Sequence, residues 1–128
     1  MASSILSFTR TARLLTPEQY SAALKARPFA RSNWFTCHRC DSLEADAAQR
    51  ALPKLGFIIP KRLVKLSVRR NAIKRVLREA FRHCQASLPA GYYVFRLKAP
   101  VPASSLTELK RAVREQADGM LAKAASRS

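Results

Sequence analysis

The sequence has little glycine and no long hydrophobic run, and both absences narrow the possible architectures. Only three of its 128 residues are glycine, and no Gly/Ser-rich linker, internal repeat or long low-complexity tract divides the chain. No segment approaches the roughly 18 consecutive apolar residues that a membrane-spanning helix needs. With 48% hydrophobic and 25% charged residues, the composition is that of a globular domain. We therefore expect one domain that does not enter a membrane.

Acidic residues are also scarce, with eight against 24 lysines and arginines, which gives a formal charge of +16 at pH 7. Phosphodiester hydrolysis by a metal-dependent protein site requires carboxylates gathered around the metal. Asp41, Glu44 and Asp46 share one short segment, but no catalytic partner lies nearby in sequence. His38 and His83 could form an acid–base pair, although a lone histidine is more often structural or solvated. We predict no catalytic residue, and the positive charge indicates a polyanionic partner.

The three cysteines are an odd number, and residues 1–15 lack the apolar run of a secretory signal. Reduced thiols and a cytoplasmic location are therefore expected. Cys37, Cys40 and the pair His83-Cys84 could together offer four zinc ligands. On a strand, however, residues 37 and 40 point to opposite faces. We favour cysteines that act as small buried hydrophobic residues, and we predict no metal site.

The positive charge is concentrated in one part of the chain. Residues 61–82 carry nine basic residues and one acid, a net charge of +8. Residues 1–31 and 83–128 contribute +4 each, and residues 32–60 are neutral. The first 14 residues are basic and rich in serine and threonine, which fits either a transit peptide or a basic arm that lies on nucleic acid.

Capping signals and hydrophobic periodicity predict the order of the elements. Thr16-Pro17-Glu18-Gln19 is typical of a helix start with a capping box, and Pro28 ends that helix. Ser105 to Glu108 repeats the capping box before a last helix that frays at residues 126–128. Ser67 is expected to cap a central helix. Hydrophobic periodicity places the central helix at about residues 68–86. Three strands are predicted, at residues 33–39, 55–59 and 92–97. The order is helix, strands, helix, strand, helix, which indicates an α+β sandwich.

The central helix has one apolar and one basic face. At about 100° per residue, its apolar side chains share one direction. The opposite arc carries Asn71, Lys74, Arg75, Arg78 and Arg82. Lys61, Arg62, Lys65 and Arg69 extend the same surface into the preceding loop. A basic helix can be merely solvated, or can bind a membrane or calmodulin, but the dominance of arginine favours bidentate phosphate contacts.

The string SVRRNAIKRVLREAFR at residues 67–82 resembles the signature of the bacterial ribonuclease P protein component. The resemblance extends upstream and covers most of residues 8–98. Its further matches are FTR at residues 8–10, RLL at 13–15, EQY at 18–20, Leu24, and LGFIIPKR at 55–62.

This resemblance implies an α-β-β-β-α-β-α sandwich, with helices on a small mixed sheet, similar to domain 2 of ribosomal protein S5. It implies a protein that binds a catalytic RNA and the 5′ leader of precursor tRNA and assists Mg²⁺-dependent endonucleolytic removal of the leader. The Mg²⁺ would be held mainly by the RNA, one protein would bind per RNA, and neither DNA nor a membrane would be bound. The chain then divides into a flexible basic arm at residues 1–14, an RNA-binding domain at 15–125 and a tail at 126–128.

The resemblance also assigns roles to individual residues. Contact with the catalytic RNA is implied for Arg70, Asn71, Lys74, Arg75 and Arg78. The charge pattern adds to this surface Lys61, Arg62, Lys65, Arg69 and Arg82. A leader cleft between the first helix and the sheet would be lined by Tyr20, Leu24, Trp34, Thr36 and His38. By alternation along the predicted strand at residues 33–39, Trp34, Thr36 and His38 share one side. Tyr20 and Trp34 fit core packing equally well.

The chain departs from the family in three places, one of which is the end of the last strand, where RLKAP at residues 96–100 differs from the family's usual ending. The family's Arg-Asn-Arg triplet is Arg70-Asn71-Ala72 here, so one cation is absent, and we expect Arg69 to substitute for it in part. Leu24 stands where the family has a second aromatic residue, which removes one stacking surface. By charge alone, a ribosomal protein or an RNA chaperone fits equally well. A DNA regulator fits less well, because no turn and second helix precede residue 68.

Overall fold

The computed structural model describes residues 15–126, and the predicted arm at residues 1–14 lies outside them. The elements in chain order are α1 (Pro17–Lys25), β1 (Ala30–Arg31), β2 (Phe35–Cys40), α2 (Ala47–Arg50), β3 (Pro53–Ile58), α3 (Ser67–Cys84), β4 (Gly91–Leu97) and α4 (Leu106–Ser126). Apart from the single turn α2, this is the expected α-β-β-β-α-β-α order. Among residues 15–126, no helix is long and apolar enough to cross a membrane.

The four strands form one mixed sheet in the order β1-β2-β4-β3. β4 lies in the middle, antiparallel to β2 and parallel to β3. Parallel neighbours need a long crossover connection, and α3 provides it between β3 and β4. The small mixed sheet that the family resemblance implied is therefore confirmed.

Helices cover both faces of this sheet. The larger apolar cluster lies on the face with α3 and α4 and contains Ile73, Leu77, Phe81, Val113 and Leu121. The smaller cluster, formed by Ala23, Tyr92 and Val94 with partly buried neighbours, lies under α1 on the other face. Successive side chains of β4 alternate between the two clusters, so the strand is buried from residue 91 to 95.

Reciprocal capping boxes start α1 and α4, as predicted. In α1, the Gln19 amide donates to Thr16 Oγ1 at 3.2 Å, and the Thr16 amide donates to Gln19 Oε1 at 3.0 Å. In α4, the Glu108 amide donates to Ser105 Oγ at 3.1 Å, and the Ser105 amide donates to Glu108 Oε1 at 2.9 Å. Each box satisfies backbone donors that a helix start otherwise leaves without partners.

The predicted cap of α3 is wrong, and two other helix ends differ from expectation. Ser67 is already inside α3, Leu66 holds the N-cap position, and no side chain caps the helix. The chain turns earlier because the Arg69 and Arg70 amides both donate to the Leu66 carbonyl, each at 3.1 Å. α3 ends at Cys84, two residues early, and continues as a 3₁₀ turn. α4 includes Ser126, where the sequence predicted the start of a tail.

Two glycines permit close approaches that a side chain would block. A Cβ at Gly56 of β3 would lie 2.6 Å from Tyr20 Cε1, so the absence of a side chain lets α1 lie directly against the sheet. Gly91 has a φ of 135°, and a Cβ there would meet the Cys40 carbonyl oxygen of the neighbouring strand. Gly91 thus allows β4 to begin beside the end of β2.

We predict opposite effects for alanine at two glycines. Gly91→Ala should lower the free energy of unfolding by roughly 1–3 kcal/mol, because it combines a strained φ with a backbone clash. Gly119→Ala in α4 meets no atom within 4 Å and should raise stability by up to about 1 kcal/mol. Urea unfolding of both variants measures the contrast. Equal effects of the same sign would contradict it.

Candidate nucleic-acid interface

The predicted basic surface consists of the loop at residues 59–66 and the outer face of α3. Lys61, Arg62 and Lys65 are exposed in the loop, and Asn71, Arg75 and Arg82 are exposed on the helix. Lys74 and Arg78 are half-buried on the same helix. Because the loop leads directly into α3, these side chains form one continuous surface, called the α3 surface below.

Two arginines of this region are engaged within the protein. Arg70 donates from Nη1 to the carbonyls of Val64 and Lys65, both at 2.8 Å, and so fixes the loop onto the helix. Arg69 donates to the carbonyl and the hydroxyl of Ser104, at 3.0 and 3.1 Å, which ties α3 to the segment before α4. Both guanidinium groups thus position the α3 surface.

That Arg69 substitutes in part for the cation missing at position 72 stays a prediction. Its guanidinium points to Ser104, and Ala72 is only 8% exposed. A shallow groove runs beside Ala72 between α3 and α4, and Lys110 of α4 lines it opposite Asn71 and Arg75. Sequence spacing did not reveal this neighbour, because Lys110 belongs to another helix.

Five cations of the α3 surface have no hydrogen-bond or ion-pair partner among the residues that the structure describes. Within residues 15–126, no hydrogen bond or ion pair engages the side chains of Lys61, Arg62, Lys65, Lys74 and Arg75. Arg78 lies 5.8 Å from the ring centroid of Phe57, and Arg82 lies beside His83. Glu79, the one acid of α3, pairs with Arg114 of α4 at 3.4 Å. The positive potential of the surface is therefore little neutralised by the protein itself.

The leader cleft predicted between α1 and the sheet is only partly as expected. Tyr20 and Leu24 are half-buried on α1 and pack against the smaller cluster. Thr36 and His38 are each only 6% exposed. His38 Nδ1 lies 2.9 Å from the Ala26 carbonyl and Nε2 lies 3.1 Å from Thr36 Oγ1, so both ring nitrogens have partners. These two residues join β2 to the end of α1 and do not form an open surface, so the expectation that they line the cleft is corrected.

Trp34 lies on the opposite side from the one predicted. The strand starts at Phe35, one residue later, so the alternation assumed for residues 33–39 does not apply to Trp34. Its amide donates to Gln116 Oε1 of α4 at 3.0 Å, and its side chain packs against the larger cluster. Trp34 therefore does not share a face with His38.

Two exposed arginines that the sequence reasoning missed lie on the α1 face. Arg96 follows Tyr92 and Val94 at the spacing of alternate strand residues, a signal that was available in the sequence. Arg31 is in β1, a strand of two residues that is too short to show a period. Both side chains are exposed.

The three cysteines make packing and hydrogen-bond contacts within the protein. Cys37 belongs to the larger cluster, Cys40 packs against the smaller one, and burial raises the pKa of the Cys37 thiol well above its ordinary value. Cys84 Sγ donates to the Ala80 carbonyl at 3.3 Å. Among residues 15–126, no three His, Cys, Asp or Glu side chains are grouped as metal ligands would be.

Glu44 is the centre of a polar network beneath α1. Its Oε2 accepts from Lys54 Nζ at 3.0 Å, from Gln19 Nε2 at 2.9 Å and from the Tyr92 hydroxyl at 3.1 Å. The hydrogen bond from Lys54, with those from Tyr92 and Gln19, lowers the pKa of Glu44. This carboxylate connects the acidic segment to α1, β3 and β4 and has little capacity left for a metal.

Comparison with known proteins gives a family match, similar relatives and solved structures of similar fold. A family model described as Ribonuclease P matches residues 8–121. The ribonuclease P protein component of Bordetella avium is 50% identical over 107 residues, 84% of this chain and 86% of the relative. The RNase P protein of Staphylococcus aureus superposes with a TM-score of 0.66 at 20% identity and covers 88% of this chain and 96% of its own. The RNase P protein of Thermotoga maritima superposes with a TM-score of 0.61 at 21% identity, and the match covers 85% of this chain and 94% of that protein.

The solved structures show that this small α+β sandwich has the fold of RNase P proteins. The family match and the relatives show more: the chain belongs to the ribonuclease P protein family. The curated relatives are named as protein components of ribonuclease P.

We predict that the contribution of Glu44 to stability depends on pH. Its pKa is lowered in the folded protein, so the stabilisation is full above the ordinary value near 4.5 and is lost as the pH falls through the folded pKa. Glu44→Gln should cost about 1 kcal/mol at pH 7 and much less at pH 3. Urea unfolding at both pH values tests this, with Glu115→Gln on the exposed side of α4 as the control. A cost that is the same at both pH values would contradict it.

Proposed function

We propose that this chain binds the catalytic RNA of ribonuclease P through the α3 surface and holds the 5′ leader of precursor tRNA beside α1. The proposal rests on Lys61, Arg62, Lys65, Lys74 and Arg75, whose side chains engage no partner within residues 15–126, while Glu79, the one acid of α3, pairs with Arg114 of α4. Cations without protein partners can release the counterions of an RNA backbone, and this release provides much of the affinity of such complexes. Arg69 and Arg70 support the interface by holding its backbone in place.

The chemistry of leader removal is proposed to belong to the RNA and its Mg²⁺ ions. Mg²⁺ prefers carboxylate, phosphate and water oxygens in octahedral geometry. The α3 surface offers ammonium and guanidinium groups, which do not ligate a cation, and Glu44 already accepts three hydrogen bonds. The described residues therefore do not fit a Mg²⁺ site of their own. Lysine and arginine at the interface would instead reduce the repulsion between two RNA backbones.

The proposed holoenzyme has one copy of this chain per RNA and acts in the cytoplasm. Precursor tRNA is the proposed substrate, and the mature 5′ end of tRNA is the product. The face of the sheet beside α1 would hold the leader, while the α3 surface binds the RNA subunit. The two surfaces belong to different parts of the domain, so their effects on binding can be measured separately.

Reconstitution tests the assignment of the chemistry. The purified protein should leave precursor tRNA intact at any Mg²⁺ concentration, because it lacks a site for hydrolysis. Together with the cognate catalytic RNA at low Mg²⁺, it should increase the rate of leader cleavage. Gel-resolved cleavage of end-labelled precursor measures both. Cleavage by the protein alone, or no stimulation of the RNA, would refute the proposal.

Substitutions on the α3 surface test the interface. Lys74→Ala and Arg75→Ala should each weaken binding to the RNA subunit and reduce the slope of log K against log salt by up to about 0.9, because each removes one phosphate contact. Lys123→Ala in the last turn of α4 removes an exposed cation away from this surface and serves as the matched control. Filter binding over a series of salt concentrations gives the slopes. If the α3 variants keep the slope of the unaltered protein, these side chains are not at the interface.

A further inference from the structure

One cross-strand row of the sheet carries two arginines on the face of α1. The register pairs Arg31 of β1 with Thr36 of β2, Thr36 with Arg96 of β4, and Arg96 with Ile58 of β3. Directly paired residues have their side chains on the same face. The four residues thus form one continuous row across all four strands, called the arginine row below.

The arginine row lies just beyond the part of the sheet that α1 covers. The adjacent row consists of His38, Val94 and Gly56. The end of α1 lies over His38, which contacts the Ala26 carbonyl, and Tyr20 lies over Gly56. In the arginine row itself, Thr36 is buried, whereas the flanking Arg31 and Arg96 are exposed. The exposed side chains of this row are therefore the two arginines.

The two charges of this row are not neutralised by any residue that the structure describes. Within residues 15–126, no hydrogen bond or ion pair engages the side chain of Arg31 or Arg96. They stand two strands apart, so their backbones are separated by about 10 Å. The row contains no acid. Guanidinium groups bind phosphates in a planar, bidentate geometry. Two of them held at this separation on a rigid sheet suit an extended chain of phosphates.

The same face offers little to an unpaired base. Among residues 15–126, Tyr20 is the one aromatic residue on this face that is not fully buried, and its hydroxyl accepts from the Phe57 amide at 3.1 Å. Trp34 packs into the larger cluster, and Leu24 is aliphatic. Base stacking requires open aromatic faces. Recognition on this face therefore depends on charge.

We propose that Arg31 and Arg96 bind backbone phosphates of the single-stranded 5′ leader, so that this chain holds the leader by its phosphates and not by its bases. The inference rests on the proposed function and names the chemistry at the leader surface. It adds two binding residues and makes leader recognition insensitive to leader sequence.

The experiment uses the holoenzyme assembled from the protein and its catalytic RNA. Affinity is measured for precursor tRNA with a leader of about eight nucleotides, a length in the range that single-strand sites cover, and for one with a single-nucleotide leader. Arg31→Gln and Arg96→Gln should each weaken binding of the long-leader substrate several-fold and lower its salt slope by up to about 0.7. Both should leave the short-leader substrate unchanged. Lys123→Gln is the control, and circular dichroism melting confirms that each variant is folded.

Chemically altered leaders distinguish phosphates from bases. A long leader with abasic nucleotides keeps its phosphates and should bind the unaltered holoenzyme as well as the normal leader does. A leader with methylphosphonate linkages keeps its bases and should bind like the short-leader substrate. The reverse pattern, or equal losses on long and short leaders in the arginine variants, would overturn the inference.

The result also separates this inference from the proposed function. If Lys74→Ala and Arg75→Ala reduce affinity for the RNA subunit while the arginine row has no effect, the inference fails and the proposed function stands. If the α3 variants have no effect either, the proposed interface fails as well.

Discussion

Strand β4 is the constraint on which the rest of the structure depends. It is the strand that pairs with β2 on one edge and β3 on the other, and it is covered by α1 on one face and by α3 and α4 on the opposite face. Its alternating side chains therefore contribute to the apolar clusters on both faces of the sheet. Tyr92 joins the Glu44 network under α1, while Tyr93 packs edge-on against Phe81 of α3. Burial raises the pKa of Tyr93 to about 12. An error in the register of β4 would displace the α3 surface and the arginine row together.

The cations of this protein fall into two groups with different physical roles. Arg69, Arg70 and Arg114 donate hydrogen bonds to protein acceptors and hold helices and loops in place. Lys74, Arg75 and their neighbours in the loop at residues 59–66 remain available. The first group makes the second effective, because a charge fixed on a braced backbone loses less conformational entropy when it meets a phosphate. Net charge alone does not separate the two groups.

Much of the fold could be predicted from the sequence, because its signals are local. Capping boxes at Thr16 and Ser105, and the buried strand at residues 92–97, depend on near neighbours and were confirmed. The site was less predictable. Arg69 meets Ser104 across 35 positions of sequence, and no spacing rule anticipates that contact. Trp34 was assigned by alternation to a strand that begins one residue later. Arg31 lies in a strand of two residues, and only its pairing with Thr36 shows which face it is on.

The hydroxyl of Tyr20 has a consequence for the solution behaviour of the protein. β3 is an edge strand, and an edge strand presents backbone donors that can pair with a strand of another molecule. Tyr20 accepts the Phe57 amide hydrogen, and Pro53 at the start of the strand has no amide hydrogen to offer. The edge is therefore blocked by the protein's own side chain. Together with mutual repulsion between chains of net charge +16, this disfavours pairing of two free molecules through their β3 edges.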